Sequence, residues 1–272
     1  MSRPLHIITQ DAITRDHDLA SLTARVGWQH STVPAKGYLE VLNALTREVE
    51  DQDQRPVLFV SLPVAGYVER HHPVLARGLI RASAFLRHGH YHTILPRGLA
   101  LNTDGIYLPW GQIPEQAQRL EKLFPQGIFI RPDSPLKPFT GFAVAHKALE
   151  TEWDLQSRTC HVPMQEMCYI APRLDLDSTE YRVWIVDAEP VTASAYGWDV
   201  DKIWRGNVPL PIIHAAAQLG RKLELTEQVY TADFIIHGES PRLVELNAVS
   251  TSGWYPDMNP SALIEALDQV FL

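Results

Sequence analysis

The stretch Val229 to Tyr255, VYTADFIIHGESPRLVELNAVSTSGWY, constrains the fold more than any other part of the chain. Val229 to Ile236 is β-branched and aromatic, His237 to Pro241 has turn composition, and Arg242 to Asn247 alternates again, which predicts a β-hairpin. A five-residue turn sets Ile236 opposite Arg242 and, in the same register, Asp233 opposite Glu245. Side chains alternate along a strand, so Glu245 and Asn247 share a face, and a cross-strand partner of Glu245 points to that face too. Two carboxylates and an amide then converge with no His or Cys among them, a donor set that suits a hard cation such as Mg²⁺. A hairpin with a polar, solvated face is the alternative. Against it stand Phe234, Ile236, Leu243 and Leu246, because acids in apolar surroundings are usually paired or metal-bound. The Ser250–Gly253 segment that follows reads as a flexible polar loop beside the proposed metals.

A chain of 272 residues that is 45% hydrophobic can bury a large core in one or two domains. Its formal charge of −8 gives no electrostatic case for binding nucleic acid or an anionic membrane. No apolar leader and no run of 18 or more apolar residues is visible, so a cytoplasmic location is expected. Cys160 and Cys168 lack CxxC spacing, which supports neither a disulfide framework nor a thiolate zinc site.

The first third alternates strand and helix. Leu5 to Thr9 and Val57 to Val60 are apolar strand segments. Gly37 to Glu50 has amphipathic helical spacing, and Pro73 opens a second helical pattern through His88 that Gly89 ends. This order predicts a small α/β layer. His88, His90 and His92 would face one way on a strand and could ligate zinc, but no acidic or cysteine partner stands at a diagnostic spacing, so ordinary histidines are the simpler reading. Arg70, His71, His72, Arg77 and Arg81 could attract a carboxylate, or form a solvated helix face.

In the middle of the chain, Ile128-Phe129-Ile130 is a buried-strand run leading into Arg131-Pro132-Asp133-Ser134-Pro135-Leu136-Lys137-Pro138. Its prolines stiffen the loop and can hold Arg131 and Lys137 in a fixed relation, a planar fork and a point charge suited to a polyphosphate. A rigid surface connection with solvated charges fits the same residues. It is not a P-loop, because the glycine nest and GK[ST] ending are absent. Val162 to Ile170 reads as extended, and Glu180 to Val186 and Pro190 to Ala195 as strands joined by an Asp187-Ala188-Glu189 turn. Glu180 and Arg182 share a strand face, either as an ion pair, the favoured reading, or facing a ligand. Pro209 starts a helix over Leu210 to Lys222, and Asn259-Pro260 caps a last helix to Phe271.

The order of these pieces resembles the ATP-grasp fold, in which two α+β subdomains clamp Mg-ATP. RPDSPLKPFTG with ADFII, LVELN and SGWY is similar to the arginine-for-lysine clade of that superfamily. The resemblance spans roughly residues 128–255. It implies a mixed α/β and α+β architecture, with a small Rossmann-like pre-ATP-grasp layer over residues 1–125 and the ATP-grasp domain over 126–272. It implies that Arg131 and Lys137 meet the ATP phosphates, that Gln165, Glu166, Met167 and Cys168 border the adenine, and that Glu180 reaches the ribose or orders Arg182. Arg182 would contact phosphate or acyl-phosphate. Asp233, Glu245 and Asn247 would hold Mg²⁺, with Glu245 bridging two ions.

The activity implied is an ATP-dependent carboxylate–amine ligase acting through an acyl-phosphate on a peptide, amino acid or similar small metabolite, with catalysis by Arg182, Lys137 and Arg131. A small-molecule kinase and a catalytically silent ATP-binding module are the alternatives. The segment 250–253 and the loop 198–207, with Lys202 and Arg205, are expected as gates or as ordinary connections.

Overall fold

The computed structural model describes residues 5–14, 17, 28–34, 38–49, 55–80, 84–96, 98–176, 179–199, 202–203, 207–223 and 228–271. The chain divides into two compact units, residues 1–83 with 178–272, and residues 84–177. The expected boundary at 125/126 therefore falls inside the second unit.

The N-terminal part of the first unit is a parallel sheet of β1 (Leu5–Gln10), β2 (Gln29–Val33) and β3 (Arg55–Phe59) in the order β2-β1-β3. Alternation gives this sheet two apolar faces. Ile8, Leu58 and Val60 pack with Val41, Leu42 and Leu45 of the helix Tyr38–Val49 and with Val64 and Val68 of the helix Leu62–His71. Leu5, Ile7, Val57 and Phe59 join a second cluster with Trp184, Trp254 and the helix Pro260–Phe271. The helix expected through His88 is instead a single turn, Pro73–Ala76. A separate helix, His88–Ile94, contains Gly89 rather than ending at it.

The second unit is built on an antiparallel sheet of β4 (Ile106–Pro109), β5 (Ile128–Pro132), β6 (Phe142–Val144) and β7 (Met167–Pro172), in the order β4-β7-β5-β6. One face buries Ile128, Ile130, Cys168 and Ile170 against Leu120, Leu149 and Trp110. The opposite parity on the same strands carries Tyr107, Arg131 and Tyr169, with Tyr107 and Arg131 both paired in register to Tyr169. This second face is where the unit's polar chemistry lies.

The C-terminal part of the first unit is the antiparallel sheet β10-β9-β8-β11-β12, comprising β8 (Thr179–Val186), β9 (Glu189–Asp199), β10 (Lys202–Ile203), β11 (Val229–His237) and β12 (Ser240–Asn247). Two one-residue bulges set its register. The β11–β12 hairpin has a tighter turn than expected, with His237 paired to Ser240, so Ile236 lies opposite Pro241 and not Arg242. Between Phe234↔Leu243 and Asp233↔Glu245 the ladder skips Val244, and this extra residue restores the expected Asp233–Glu245 pairing. Val191 is skipped in the same way between β8 and β9.

The β8–β9 turn has two central residues, Asp187 at φ 49° and Ala188 at φ 66°. A left-handed pair matches the twist of a two-residue hairpin but is costly for alanine. The turn is held by its surroundings: Asp187 N donates to Gln228 O at 2.7 Å, and the helix Leu210–Leu223 presents Gly220 to the Ala188 carbonyl. A Cβ on Gly220 would overlap that oxygen, whereas one on Gly66, in the helix Leu62–His71, meets nothing nearer than Arg70 Nη1 at 3.8 Å. Gly220→Ala is therefore expected to destabilise the protein by at least about 1–3 kcal/mol through overpacking. Gly66→Ala should stabilise it by up to about 1 kcal/mol through helix propensity. Thermal denaturation of the two variants should give shifts of opposite sign; matching shifts would remove the packing argument.

Candidate functional site

The functional side chains of the first unit stand on one face of the five-stranded sheet. Arg182 on β8 lies opposite Asp233 on β11 and Ser194 on β9, and Asp233 lies opposite Glu245 on β12. Thr231 pairs with Asn247 and Glu180 with Tyr196, two residues along in each case. Period-two alternation thus gathers Glu180, Arg182, Asp233, Glu245, Asn247 and Tyr196 above the same cluster that contains Trp184 and Val229.

Arg182 and Asp233 form a bidentate ion pair, Nε to Oδ1 at 2.8 Å and Nη2 to Oδ2 at 2.7 Å. Asp233 is 0% exposed and Arg182 8%. Burial is the largest single influence and acts against the guanidinium charge, but the charge of Asp233, the nearby Tyr196 and Tyr255 hydroxyls and the hydrogen bonds to Asp233 together outweigh it, so the pKa of Arg182 is raised further. Arg182 Nη1 also donates to Gly253 O at 3.3 Å. Its Cζ lies 5.4 Å and 5.2 Å from the ring centroids of Tyr196 and Tyr255, which stack on each other at 4.1 Å. A fork matched to a carboxylate and flanked by aromatic faces is a fixed cation.

The expected Glu180–Arg182 ion pair does not form. Arg182 is taken by the cross-strand Asp233, and Glu180 Oε2 instead accepts a hydrogen bond from Tyr196 Oη at 2.6 Å. Burial, and then the charge of Asp233, push the Glu180 carboxyl up to about 7, with the Tyr196 hydrogen bond opposing. Tyr196 does not stand out in the sequence, and Tyr255 enters there only as the end of the SGWY motif. Tyr196 faces Glu180 only through the bulge at Val191, and Tyr255 reaches the site from a loop.

Asn247 Nδ2 donates to Asp233 Oδ2 at 2.9 Å and to Glu245 Oε1 at 3.0 Å. Both partners are carboxylate oxygens, so the amide orientation is fixed by chemistry and Oδ1 points away from them. Glu245 is half-buried. Among the described residues no group of three or more His, Cys, Asp or Glu side chains is placed to hold a metal, so a cation here would rest on a mixed acid and amide set. Oxygen donors of that kind fit Mg²⁺, which needs few protein ligands.

The loop after Asn247 is buried and hydrogen-bonded along its length. Val249, Ser250, Ser252 and Trp254 are buried, and Ser250 accepts from Val60 N at 2.8 Å through its carbonyl and from Ile80 N at 2.8 Å through Oγ. Ser252 Oγ bonds Thr231 Oγ1 and Ala248 O, Trp254 N donates to Ile13 O, and His17 Nε2 lies 3.1 Å from Tyr255 O. The segment 250–253 is therefore a bolt between β12 and the N-terminal sheet rather than a gate. In the loop 198–207, residues 200–201 and 204–206, with Arg205, lie outside the described residues, as do the side chains of Trp198 and Lys202 and the whole of Arg81.

The second unit carries the other sequence-predicted residues. Arg131 is buried on β5, and two residues on Asp133 closes the strand end. Asp133 Oδ2 accepts from Arg87 Nε at 2.9 Å, Oδ1 from Gly89 N at 2.6 Å, and its own N donates to Met167 O at 2.8 Å. Lys137 sits in a tight turn at φ 43°, its N donating to Ser134 O at 3.1 Å. In the segment Gln165–Cys168, Glu166 O accepts from Trp110 N, Cys168 lies in the core, and Gln165 is exposed. Burial raises the Glu166 carboxyl, opposed by a hydrogen bond from the Ser134 backbone. Burial also pushes the Cys168 thiol up, as expected of a structural cysteine.

The histidine cluster is helical, which overturns the strand premise for zinc. His88 and His92, one turn apart, stack at 4.8 Å, while His90 turns to Phe85. His88 also packs on Tyr169 at 4.3 Å, and its Nδ1 lies 2.7 Å from Tyr107 Oη. Burial, and then the charge of Arg131, hold the His92 imidazole below its usual value. Of the cationic patch further upstream, Arg70, His71 and Arg77 are exposed, while Trp110 and Trp254 are core residues.

A family model for an ATP-grasp domain, family 3 of the arginine-for-lysine clade, matches residues 82–267. No curated protein sequence matches the chain. Among solved structures, the ATP-grasp ligase PsnB in complex with a minimal precursor aligns over 100% of this chain and 100% of its own, at 11% identity and a TM-score of 0.56. The D-cycloserine synthetase DcsG aligns over 98% of this chain and 100% of its own, at 12% identity and a TM-score of 0.54. D-alanine–D-alanine ligase from Bacillus anthracis aligns over 99% and 92%, at 11% identity and a TM-score of 0.50. At such identities the likeness is one of fold, and it is the ATP-grasp fold that the sequence motifs predict. The chain belongs to family 3 of the arginine-for-lysine clade of ATP-grasp domains.

Proposed function

We propose that this protein is a cytoplasmic ATP-dependent carboxylate–amine ligase that works through an acyl-phosphate on a peptide, amino acid or similar small metabolite. The observation that carries the reading is the intact set of Arg182, Glu245 and Asn247 on one sheet face of an ATP-grasp family member. The solved relatives support the substrate class: one is named for D-alanine–D-alanine ligation, and PsnB has been solved with a precursor peptide and AMPPNP.

In this reading Arg131 and Lys137 bind the ATP phosphates, and the segment Gln165–Cys168 borders the adenine. Asp233, Glu245 and Asn247 would offer oxygen to magnesium. Magnesium, when bound, neutralises phosphate oxygens and holds them in line. The substrate carboxylate oxygen attacks the γ-phosphorus, the bond to the ADP oxygen breaks, and ADP leaves. The amine nitrogen then attacks the acyl carbon, phosphate departs with the bonding pair, and the nitrogen gives up a proton. Arg131, Lys137 and Arg182 stabilise charge that moves during these steps, and a rigid cation is effective because it needs no reorganisation. Glu180 orders this region through Tyr196.

Calorimetric titration of ATP with and without Mg²⁺ should show Mg-dependent binding that falls about tenfold or more in Glu245→Gln and Lys137→Ala, since each removes a charged contact. Phosphate release should then require both a carboxylate and an amine. ADP formed from a carboxylate alone would identify a kinase, and binding without turnover across a substrate screen would identify a silent nucleotide module.

The Glu180 carboxyl adds a pH signature in chelator-treated protein. Raised to about 7 in the fold from an ordinary value of 4.5, it binds more protons folded than unfolded between those limits. Its contribution is therefore most favourable below pH 4.5 and is lost as pH rises to about 7, on the order of 1–3 kcal/mol in all. The Tm of the wild type relative to Glu180→Gln should fall between about pH 5 and pH 8; a flat or rising difference would contradict the assignment.

A further inference from the structure

We infer that Asp133 is a positioning residue for the phosphate-binding pair: it ties the end of β5 to β7 and to the start of the helix His88–Ile94, and so fixes where Arg131 and Lys137 stand. The inference rests on the Mg-ATP reading above.

Asp133 lies two residues after Arg131 and four before Lys137, and it is 9% exposed. Three of its hydrogen bonds go to the start of the helix: Oδ1 accepts from Gly89 N at 2.6 Å, Oδ2 from Arg87 Nε at 2.9 Å, and its carbonyl from His88 N at 3.0 Å. The fourth runs from its own N to Met167 O on β7 at 2.8 Å. The first N–H groups of a helix need outside partners, and Arg87, at the N-cap, makes no side-chain cap. Asp133 supplies that cap from the strand end. Gly89 permits the close approach, since a Cβ there would meet Asp133 Oδ1 at 3.2 Å.

The residues after Asp133 are held in sequence. Ser134 N donates to the Glu166 carboxylate, Ser134 Oγ accepts from Leu136 N at 3.2 Å, and Ser134 O accepts from Lys137 N at 3.1 Å. That turn sets Lys137 at φ 43°, a left-handed conformation that a lysine keeps only where its surroundings impose it. Without the tie at residue 133 a bound polyphosphate would have to order the loop itself, at a cost in affinity. Asp133 does not meet the nucleotide: both its oxygens are used within this unit, and a carboxylate facing phosphate would repel it.

Asparagine offers one acceptor oxygen where Asp133 uses two. With that oxygen on Gly89 N, the amide nitrogen faces Arg87, donor against donor. Removing Arg87 as well takes the conflict away.

Calorimetric titration of Mg-ATP into the full chain tests this. Asp133→Asn should weaken binding about tenfold although it removes no ATP contact. Arg87→Met, which removes a half-exposed partner, should weaken it by no more than about threefold. The two together should bind more tightly than Asp133→Asn alone, a rescue that general loss of stability would not produce. In a Lys137→Ala background Asp133→Asn should cost clearly less than in the wild type, because it acts through that lysine. Wild-type affinity in Asp133→Asn, no rescue by Arg87→Met, or full additivity with Lys137→Ala overturns the inference. Absence of Mg-ATP binding in the wild type sinks the nucleotide reading instead, and the tie is then decided by amide exchange without nucleotide. The Gly89 and Lys137 N–H groups should exchange about fivefold or more faster in Asp133→Asn, with the amides of β8 to β12 unchanged. Unchanged exchange at Gly89 and Lys137 overturns the inference on its own ground.

Discussion

The buried Arg182–Asp233 ion pair organises the five-stranded sheet. Two charges removed from water are costly to bury, and they persist only where geometry and further hydrogen bonds compensate them. Here the geometry comes from directly opposed positions on neighbouring strands, and the compensation from Asn247, Gly253 and two tyrosine rings. A shift of one residue in either hairpin would turn Arg182 or Glu245 to the opposite face, so the bulges at Val191 and Val244 are conditions of the site.

The N-terminal layer contributes to the same rigidity from a distance in sequence. Ser250 accepts two backbone N–H groups from residues 60 and 80, and Trp254 N reaches Ile13. Buried backbone groups must find partners, and this loop satisfies its own and those of the parallel sheet together. The carbonyl that holds Arg182 Nη1 therefore belongs to a segment with few ways to move. Such a site favours electrostatic preorganisation over closure by this particular loop.

Most elements were legible in the sequence because local pattern and tertiary role agree. The amphipathic spacing of Tyr38–Val49, the β-branched run of β11 and the Asn259 cap, whose Oδ1 accepts from Ala262 N at 3.3 Å, each act within a few residues. The Asp233–Glu245 juxtaposition was legible too, although through a wrong turn length that the bulge at Val244 cancels. What failed was non-local. Ser250–Gly253 has a loop's composition, and only its partners at residues 60 and 80 make it rigid. The Glu180–Arg182 pair was inferred along one strand, but the stronger partner lies across the ladder, where the fork meets both carboxylate oxygens. Gly89 reads as a helix terminator, which leaves a strand over the following histidines open as the zinc alternative, yet its N–H is held by Asp133 and the helix runs through it.

The surroundings of Arg131 explain why a guanidinium suits this chain in a place where an ammonium would be harder to keep. Arg131 pairs in register with Tyr169, and the sheet face it shares with Tyr107 is packed by His88 and His92. Lysine is a compact, strongly hydrated charge and loses its proton readily when buried, whereas arginine is weakly hydrated, stays charged and stacks on aromatic planes. The imidazole of His92 is pushed toward neutrality by burial and by Arg131. A buried, aromatic-lined position selects arginine on physical grounds.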